Sequence, residues 1–197
     1  MASPTQKTHR FVIATLAVIA SLSLSACGSD GDDLDPGNAA DAPDYSELEA
    51  KSPPRLAALY ASGGGLLSGG TGAYEEQISR LEGYPIVVNK WASWCGPCRA
   101  EFPYLQEQAA ARGDEVAFVG INSDDSTDAA ETFLRDHPVP YPSFSDPDSE
   151  IARSIDALEF PTTVFYDANG EIVYIHRGVY AGEEDLAADI DRYSQGG

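Results

Sequence analysis

One stretch decides how this chain folds: Ile86-Val87-Val88-Asn89-Lys90-Trp91-Ala92-Ser93-Trp94-Cys95-Gly96-Pro97-Cys98-Arg99-Ala100-Glu101-Phe102-Pro103. Its first three residues are apolar and β-branched, which predicts a short buried strand. Residues 100–111 are rich in Ala, Glu and Gln, which predicts a helix. Cys95 and Cys98 fall where the strand gives way to the helix, and unpaired N–H groups at a helix start favour a thiolate. We interpret the two cysteines as a thiol–disulfide exchange site.

The spacing of Cys95 and Cys98 places them one helical turn apart, close enough for a disulfide. We expect Cys95, at the helix start, to be the exposed and attacking thiolate. We expect Cys98, one turn further on, to be more buried and to act as the resolving thiol. Pro97 suits the first turn of a helix, where its missing N–H has no cost.

Glu101 follows Cys98 by three residues and therefore shares a helix face with it. A partly buried carboxylate at this position has a raised pKa and can exchange a proton with Cys98. The alternative is a solvated glutamate that interacts only with the helix dipole. We predict the first role, a proton shuttle for Cys98.

The same cysteine spacing also occurs in zinc sites, which need a second cysteine pair or two nearby histidines. This chain has a single pair, and its histidines are scattered through the sequence at His9, His137 and His176. We therefore predict redox chemistry with no metal and no cofactor.

The N-terminus accounts for the third cysteine, Cys27. A short basic region is followed by the apolar run 11–24, which is shorter than the roughly 20 residues of a membrane-spanning helix. Small residues then precede Cys27, which is typical of a cleaved signal peptide over residues 1–26. The sequence Leu24-Ser25-Ala26-Cys27 resembles the bacterial lipobox, and this resemblance implies a lipid on Cys27 and a location on the extracytoplasmic face of the cell membrane. An uncleaved anchor and an ordinary signal peptide with a chance cysteine are the alternatives.

Residues 27–54 are dense in Asp, Gly, Pro and Ala, and this composition predicts a disordered acidic tether before a domain at 55–197. The whole chain carries a formal net charge of −20 at pH 7. Such a charge excludes nucleic acid and anionic membrane surfaces as partners bound by charge.

The order of the predicted elements defines an α/β fold. Strands at 86–88 and 115–121 alternate with helices, which favours parallel pairing, whereas strands at 162–166 and 172–176 are joined by the turn Asp167-Ala168-Asn169-Gly170 and form a hairpin. Helices are also predicted at 74–81, 127–136, 148–157 and 182–193. The glycine-rich stretch 62–72 is predicted to be a flexible loop or an edge strand. The pattern predicts a mixed central sheet with helices on both faces.

These motifs resemble the thioredoxin superfamily: Trp94-Cys95-Gly96-Pro97-Cys98 with Trp91 ahead of it, Pro103 behind it, and Phe160-Pro161-Thr162-Thr163 downstream. The longer run from Asn89 to Pro103 is similar to the TlpA/ResA branch of exported, membrane-tethered proteins. The resemblance covers residues 74–193 and implies a thioredoxin-like fold. One departure is Lys90, which stands where the branch usually carries an aromatic residue.

The resemblance also implies roles for individual residues. Pro161 is expected to be a cis-proline that faces the cysteines and aligns the substrate. The other residues expected to contact the substrate are Trp94, Gly96, Pro97, Phe160 and Thr162. Asn89 stands where thioredoxins carry a buried aspartate, which fits a carboxylate relocated to Glu101.

The function implied is that of a membrane-anchored thiol–disulfide oxidoreductase whose partners are protein thiols and disulfides and an unidentified membrane redox protein. Gly96-Pro97 between the cysteines resembles thioredoxin and favours a reductase, with cytochrome c maturation as a setting. The alternatives are an oxidase that forms disulfides in secreted proteins, a thiol peroxidase of the same superfamily, and a non-enzymatic binding lipoprotein.

Overall fold

The computed structural model describes residues 45–194. The strands are β1 Leu66–Leu67, β2 Ile86–Trp91, β3 Ala117–Ser123, β4 Ser143–Asp146, β5 Thr162–Tyr166 and β6 Ile172–Arg177. The helices are α1 Ser46–Lys51, α2 Pro54–Tyr60, α3 Gly70–Arg80, α4 Gly96–Arg112, α5 Thr127–Asp136, α6 Glu150–Ser154 and α7 Glu183–Ser194. Within residues 45–194, no helix is long and apolar enough to cross a membrane.

The strands form a single mixed sheet in the order β1-β4-β3-β2-β5-β6. The pairs β1–β4, β4–β3 and β3–β2 are parallel, whereas β2–β5 and β5–β6 are antiparallel. The predicted mixed α/β sheet is therefore confirmed. All of β2 is buried, because it lies between β3 and β5 and both of its faces are covered.

The helices cover the two faces of this sheet. Parallel crossovers are right-handed, so α4 and α5, which connect β2 to β3 and β3 to β4, lie on one face. Helix α3 returns from β1 to β2 in the opposite direction and lies on the other face. Helix α7 packs against α4, and α6 packs against α3. This arrangement leaves the start of α4 at the end of the central strand β2.

The last part of the segment predicted to be a tether is described by the structure and contains a helix. Residues 46–51 form α1, whose Leu48 is buried in the core, and Tyr45 donates a hydrogen bond to the carbonyl of Pro138 (3.4 Å). The acidic composition of the segment does not indicate that Leu48 is buried. Helix α1 packs against α2. The predicted signal peptide, Cys27 and the tether up to residue 44 lie outside the described residues.

Two short strands complete the sheet beyond β3. The Gly-rich stretch contains β1, the edge strand that was one of its two predicted forms, and β1 pairs with β4. Strand β4 itself has the sequence Ser-Phe-Ser-Asp and was not predicted, because a run with one apolar residue gives no strand pattern. It forms because β3 supplies a parallel neighbour with Ser143 beside Gly120.

Candidate active site

Cys95 and Cys98 form a disulfide at the start of α4. Cys95 is the N-cap residue, with an extended backbone (φ −81°, ψ 103°), and Gly96 and Pro97 occupy the first two helical positions. The Cα atoms of the two cysteines are 5.3 Å apart. The backbone N–H of Cys98 donates a hydrogen bond to Sγ of Cys95 (3.1 Å). The helix start therefore offers a donor directly to the sulfur that precedes it.

Both cysteines are buried in this disulfide state. Cys95 is 4% exposed and Cys98 is 1% exposed. Cys98 is the more buried of the two, as expected. The expectation that Cys95 is exposed is wrong for the disulfide. The turn from β2 into α4 brings the N–H of Cys95 to the carbonyl of Ala92 (3.1 Å) and folds Cys95 back toward the core. By contrast, Gly96 and Pro97 are exposed beside the pair.

Glu101 is fully buried one turn after Cys98. Its carboxylate accepts hydrogen bonds from Nδ2 of Asn89 (3.2 Å) and from the backbone N–H of Tyr180 (3.1 Å). Burial raises the pKa of Glu101 from 4.5 to about 7, and the two hydrogen bonds offset part of the rise. A carboxyl group with this pKa is present in both protonation states near neutral pH. It can therefore accept or release a proton in this pH range.

Tyr180 links Glu101 to the loop between β6 and α7. Its hydroxyl donates a hydrogen bond to Oδ2 of Asp189 (2.9 Å), and its ring stacks on His176 with the centroids 3.7 Å apart. No local spacing in the sequence indicates this contact, because Tyr180 lies far along the chain from Glu101. His176 thus packs against Tyr180, and no cluster of three His, Cys, Asp or Glu in residues 45–194 is arranged to hold a metal ion.

An aromatic pair lies beside the disulfide. Trp94, directly before Cys95, is 56% exposed, and its ring packs edge-on against Phe160 with the centroids 5.0 Å apart. The indole Nε1 of Trp94 donates a hydrogen bond to the carbonyl of Asp124 (2.7 Å). The pair forms an apolar surface next to the cysteines.

The Phe160–Pro161 peptide bond is cis, as the resemblance implies. Strand β5 begins at Thr162, which pairs with Lys90 of β2. Continuing this antiparallel register by one residue places Pro161 beside Trp91, at the end of β2 from which the chain turns to Cys95. Thr162 is buried and its hydroxyl bonds to the carbonyl of Glu159 (3.0 Å). Pro161 and Thr162 thus lie at the same end of the sheet as the disulfide.

Asp125 braces the loop that leads to Trp94 and Cys95. Its Oδ2 accepts hydrogen bonds from the backbone N–H of Ser93 (2.6 Å) and from Nδ2 of Asn122 (2.9 Å). Its Oδ1 accepts from the hydroxyl of Ser93 and the N–H of Ser126, both at 2.9 Å. No motif or spacing in the sequence indicates this role for Asp125. This carboxylate joins the ends of β2 and β3 and thereby fixes the approach to the cysteines.

A family model described as Redoxin matches residues 67–190, which is more than half of the chain. The chain belongs to this family. The thiol-disulfide oxidoreductase ResA of Oceanobacillus iheyensis is 34% identical over 52% of this chain and 54% of its own length. The thiol:disulfide interchange protein DsbE of Escherichia coli is 35% identical over 58% of this chain and 62% of its own length. This chain thus spans less than two thirds of the length of either relative.

A crystal structure supports the same grouping. A secreted Mycobacterium tuberculosis disulfide oxidoreductase, described as homologous to E. coli DsbE, superimposes with a TM-score of 0.54 at 28% identity, over 58% of this chain and 85% of that chain. The predicted thioredoxin-like fold and the resemblance to ResA-type members of the thioredoxin superfamily are therefore confirmed.

Proposed function

We propose that this protein is a thiol–disulfide oxidoreductase that is lipid-anchored outside the cell membrane and reduces disulfides in protein substrates. The observation that carries the proposal is the Cys95–Cys98 disulfide at the start of α4, where the N–H of Cys98 points at Sγ of Cys95. After reduction the same donor stabilises a thiolate on Cys95. The names of the ResA and DsbE relatives, which describe thiol–disulfide exchange, support this reaction class.

Reduction of a substrate takes two exchange steps. In the first, the Cys95 thiolate attacks one sulfur of the substrate disulfide, and the other substrate sulfur leaves as a thiolate that takes a proton from solvent. In the second, Cys98 gives its proton to the carboxylate of Glu101 and attacks Sγ of Cys95. The remaining substrate sulfur leaves as a thiolate and is protonated. Two electrons pass to the substrate, and the enzyme ends as the Cys95–Cys98 disulfide.

The surface beside the cysteines supports a polypeptide as the substrate. Trp94 and Phe160 offer an apolar surface, while Gly96 and Pro97 leave the helix start open to solvent. Pro161 lies at the same end of the sheet and is proposed to align the substrate chain together with Phe160 and Thr162. Mixed disulfides trapped with a Cys98→Ser variant test this arrangement, because the variant stops after the first step. Recovery of no trapped polypeptide from cells that express Cys98→Ser would contradict it.

The direction of electron flow is tested by the reduction potential of the cysteine pair. Thioredoxin, which also has Gly-Pro between its cysteines, has a reduction potential of about −270 mV, whereas that of the oxidant DsbA is about −120 mV. We expect a value close to that of thioredoxin, measured by equilibration with dithiothreitol and followed by tryptophan fluorescence. A value near that of DsbA would favour the alternative, an oxidase that forms disulfides in secreted proteins.

The proposed setting is cytochrome c maturation, in which the cysteines of a Cys-x-x-Cys-His haem-attachment segment must be reduced. The spent enzyme then needs a dithiol reductant, which we assign to a membrane redox protein. An oxidised peptide carrying this segment provides the test, with insulin as a general protein disulfide. Faster reduction of the peptide than of insulin is expected, and equal rates would argue for a general reductase.

A lipid on Cys27 is proposed to hold the domain at the membrane. The support is the sequence Leu24-Ser25-Ala26-Cys27 after an apolar run, and the similar M. tuberculosis disulfide oxidoreductase is a secreted protein, which favours export. Metabolic labelling with an alkyne fatty acid tests the anchor. We expect label in the wild type and none in Cys27→Ala, which is also expected to leave the membrane fraction. Labelling of Cys27→Ala would overturn the assignment.

Two further alternatives are tested with the same protein. A thiol peroxidase would consume hydrogen peroxide without a disulfide substrate, whereas the proposed enzyme does so only slowly. A binding protein that keeps the fold as a scaffold would function equally well as Cys95→Ser. We expect this variant to lose all disulfide reduction.

A further inference from the structure

Lys90 is a buried lysine close to the active site. It lies in β2 and is 2% exposed, although lysine is almost never fully buried without a partner. Burial lowers the pKa of Lys90, and the carboxylates of Asp146 and Asp124 offset part of this effect. In the described part of the chain, however, no carboxylate lies within salt-bridge distance of its ammonium group. An apolar residue at position 90 would avoid the cost of burying an ammonium group.

The ammonium group of Lys90 contacts one short segment, Leu158 to Phe160. Its Nζ donates a hydrogen bond to the carbonyl of Leu158 (3.2 Å) and lies 3.6 Å from the centroid of the Phe160 ring. A cation at this distance over an aromatic face is attracted by the ring, more strongly where water is excluded. Both contacts tie the segment that precedes Pro161 to the central strand.

Phe160 extends these contacts to the residue before the disulfide. Its ring packs against Trp94, which directly precedes Cys95, and Nε1 of Trp94 also donates a hydrogen bond to the carbonyl of Asp124. Leu158 and Trp94 are two of the large apolar side chains that stay exposed, at 60% and 56%. We define the apolar wall as Leu158, Phe160 and Trp94. Lys90 lies behind this wall and bonds to two of its three residues.

We propose that Lys90 is a positioning residue whose ammonium group fixes the apolar wall beside Cys95, so that the wall is preformed for an apolar stretch of a polypeptide substrate. This inference rests on the proposed function for its substrate. A preformed surface binds more tightly because the segment is already ordered before the substrate arrives. The effect of Lys90 is therefore on substrate binding and not on the exchange steps themselves.

The test compares two variants of Lys90 in the full chain. Lys90→Met keeps an unbranched stem and removes the charge and the donors, whereas Lys90→Arg keeps both. With insulin as the probe, we expect Lys90→Met to raise KM about tenfold, with a much smaller change in kcat. We expect Lys90→Arg to restore most of the loss. Lys51→Met, which removes an exposed lysine paired with Asp114, serves as the control and is expected to match the wild type.

A second readout follows the wall directly. In a Trp91→Phe background, Trp94 is the single tryptophan, and we expect acrylamide to quench it more strongly after Lys90→Met, because Phe160 is released from its ring. Phe160→Leu removes the same contact from the other side, and adding Lys90→Met to it is expected to cause little further loss. If Lys90→Met fails to fold, Phe160→Leu alone, which leaves Lys90 in place and removes the ring that it contacts, is expected to raise KM and the quenching of Trp94.

The outcomes separate the two proposals. An unchanged KM together with unchanged quenching would overturn the role of Lys90, as would additive effects of Lys90→Met and Phe160→Leu. A fall in kcat with KM unchanged would also overturn it, because it would place Lys90 in the exchange chemistry. If the wild type reduces no disulfide, the proposed function fails, and the quenching of Trp94 still decides whether Lys90 fixes the wall.

Discussion

Asn89 in the central strand donates a hydrogen bond to the buried carboxylate of Glu101 in α4, with Nδ2 and Oε2 3.2 Å apart. This contact joins the strand that ends near Cys95 to the helix that carries Cys98. It also couples the protonation of Glu101 to a neighbour that does not itself titrate. The chemistry proposed for Cys98 depends on that protonation.

Glu101→Gln is expected to slow the second exchange step. Glutamine occupies the same space but cannot take the proton of Cys98, and general base catalysis of this kind contributes about a hundredfold or more. Single-turnover release of the second substrate thiol at pH 7 measures the step. The attack by Cys95, followed with a small aromatic disulfide, is expected to change far less. Glu107→Gln alters an exposed glutamate of the same helix and serves as the control. Equal release rates in Glu101→Gln and the wild type from pH 5 to 9 would rule out the shuttle.

The raised pKa of Glu101 also predicts how stability depends on pH. The group prefers the protonated form in the folded state, with a pKa of about 7 against 4.5 when unfolded. The folded state therefore binds more protons between these values, and stability falls as the pH rises through this window. The total loss in the free energy of unfolding is about 3 kcal/mol, at 1.36 kcal/mol per pKa unit. This loss is absent from Glu101→Gln.

Urea unfolding of the oxidised proteins at several pH values checks this dependence. The difference between Glu101→Gln and the wild type isolates Glu101 from the other carboxylates. We expect the variant to gain about 3 kcal/mol relative to the wild type between pH 4 and pH 8. Glu107→Gln is expected to show a constant difference over the same range. A flat difference for Glu101→Gln would mean that the carboxylate does not titrate in this window.

Asn89→Leu is expected to raise the pKa of Glu101 above about 7. The hydrogen bond from Asn89 lowers this pKa, and an apolar residue of similar volume removes the donor while burial persists. Asn89→Asp is expected to raise it further, because a second carboxylate then lies beside the first. Infrared titration of the protonated carboxyl band gives the midpoint. A midpoint equal to that of the wild type would show that Asn89 does not affect the pKa of Glu101.

Local pattern was sufficient for the elements near the active site. The apolar start of β2, the helix after Cys95 and the hairpin turn at 167–170 could each be read from adjacent residues, and the structure has all of them. The burial of Glu101 followed from its spacing to Cys98, because positions three apart share a helix face. The mixed sheet followed from the order of these elements along the chain.

Other features depend on contacts between distant parts of the chain. Strand β4 contains one apolar residue and becomes a strand only because β3 and β1 pair with it. The hydrogen bond from Tyr180 to Glu101 and the four bonds made by Asp125 have no signature in local spacing. The burial of Cys95 depends on the turn at Ala92, and the packing of α1 on the core depends on the burial of Leu48. Each of these is decided by tertiary packing.

Asp125→Ala is expected to destabilise the protein by about 2–3 kcal/mol, because it leaves buried Asn122 and the backbone of Ser93 without their acceptor. Urea unfolding of the oxidised protein measures the loss. Asp128→Ala, in the exposed first turn of α5, serves as the matched control and is expected to cost at most about 1 kcal/mol through the helix dipole. Because Ser93 lies two residues before Cys95, we also expect the reduction potential of the pair to shift in Asp125→Ala. Losses of similar size in the two variants would show that Asp125 is an ordinary surface carboxylate.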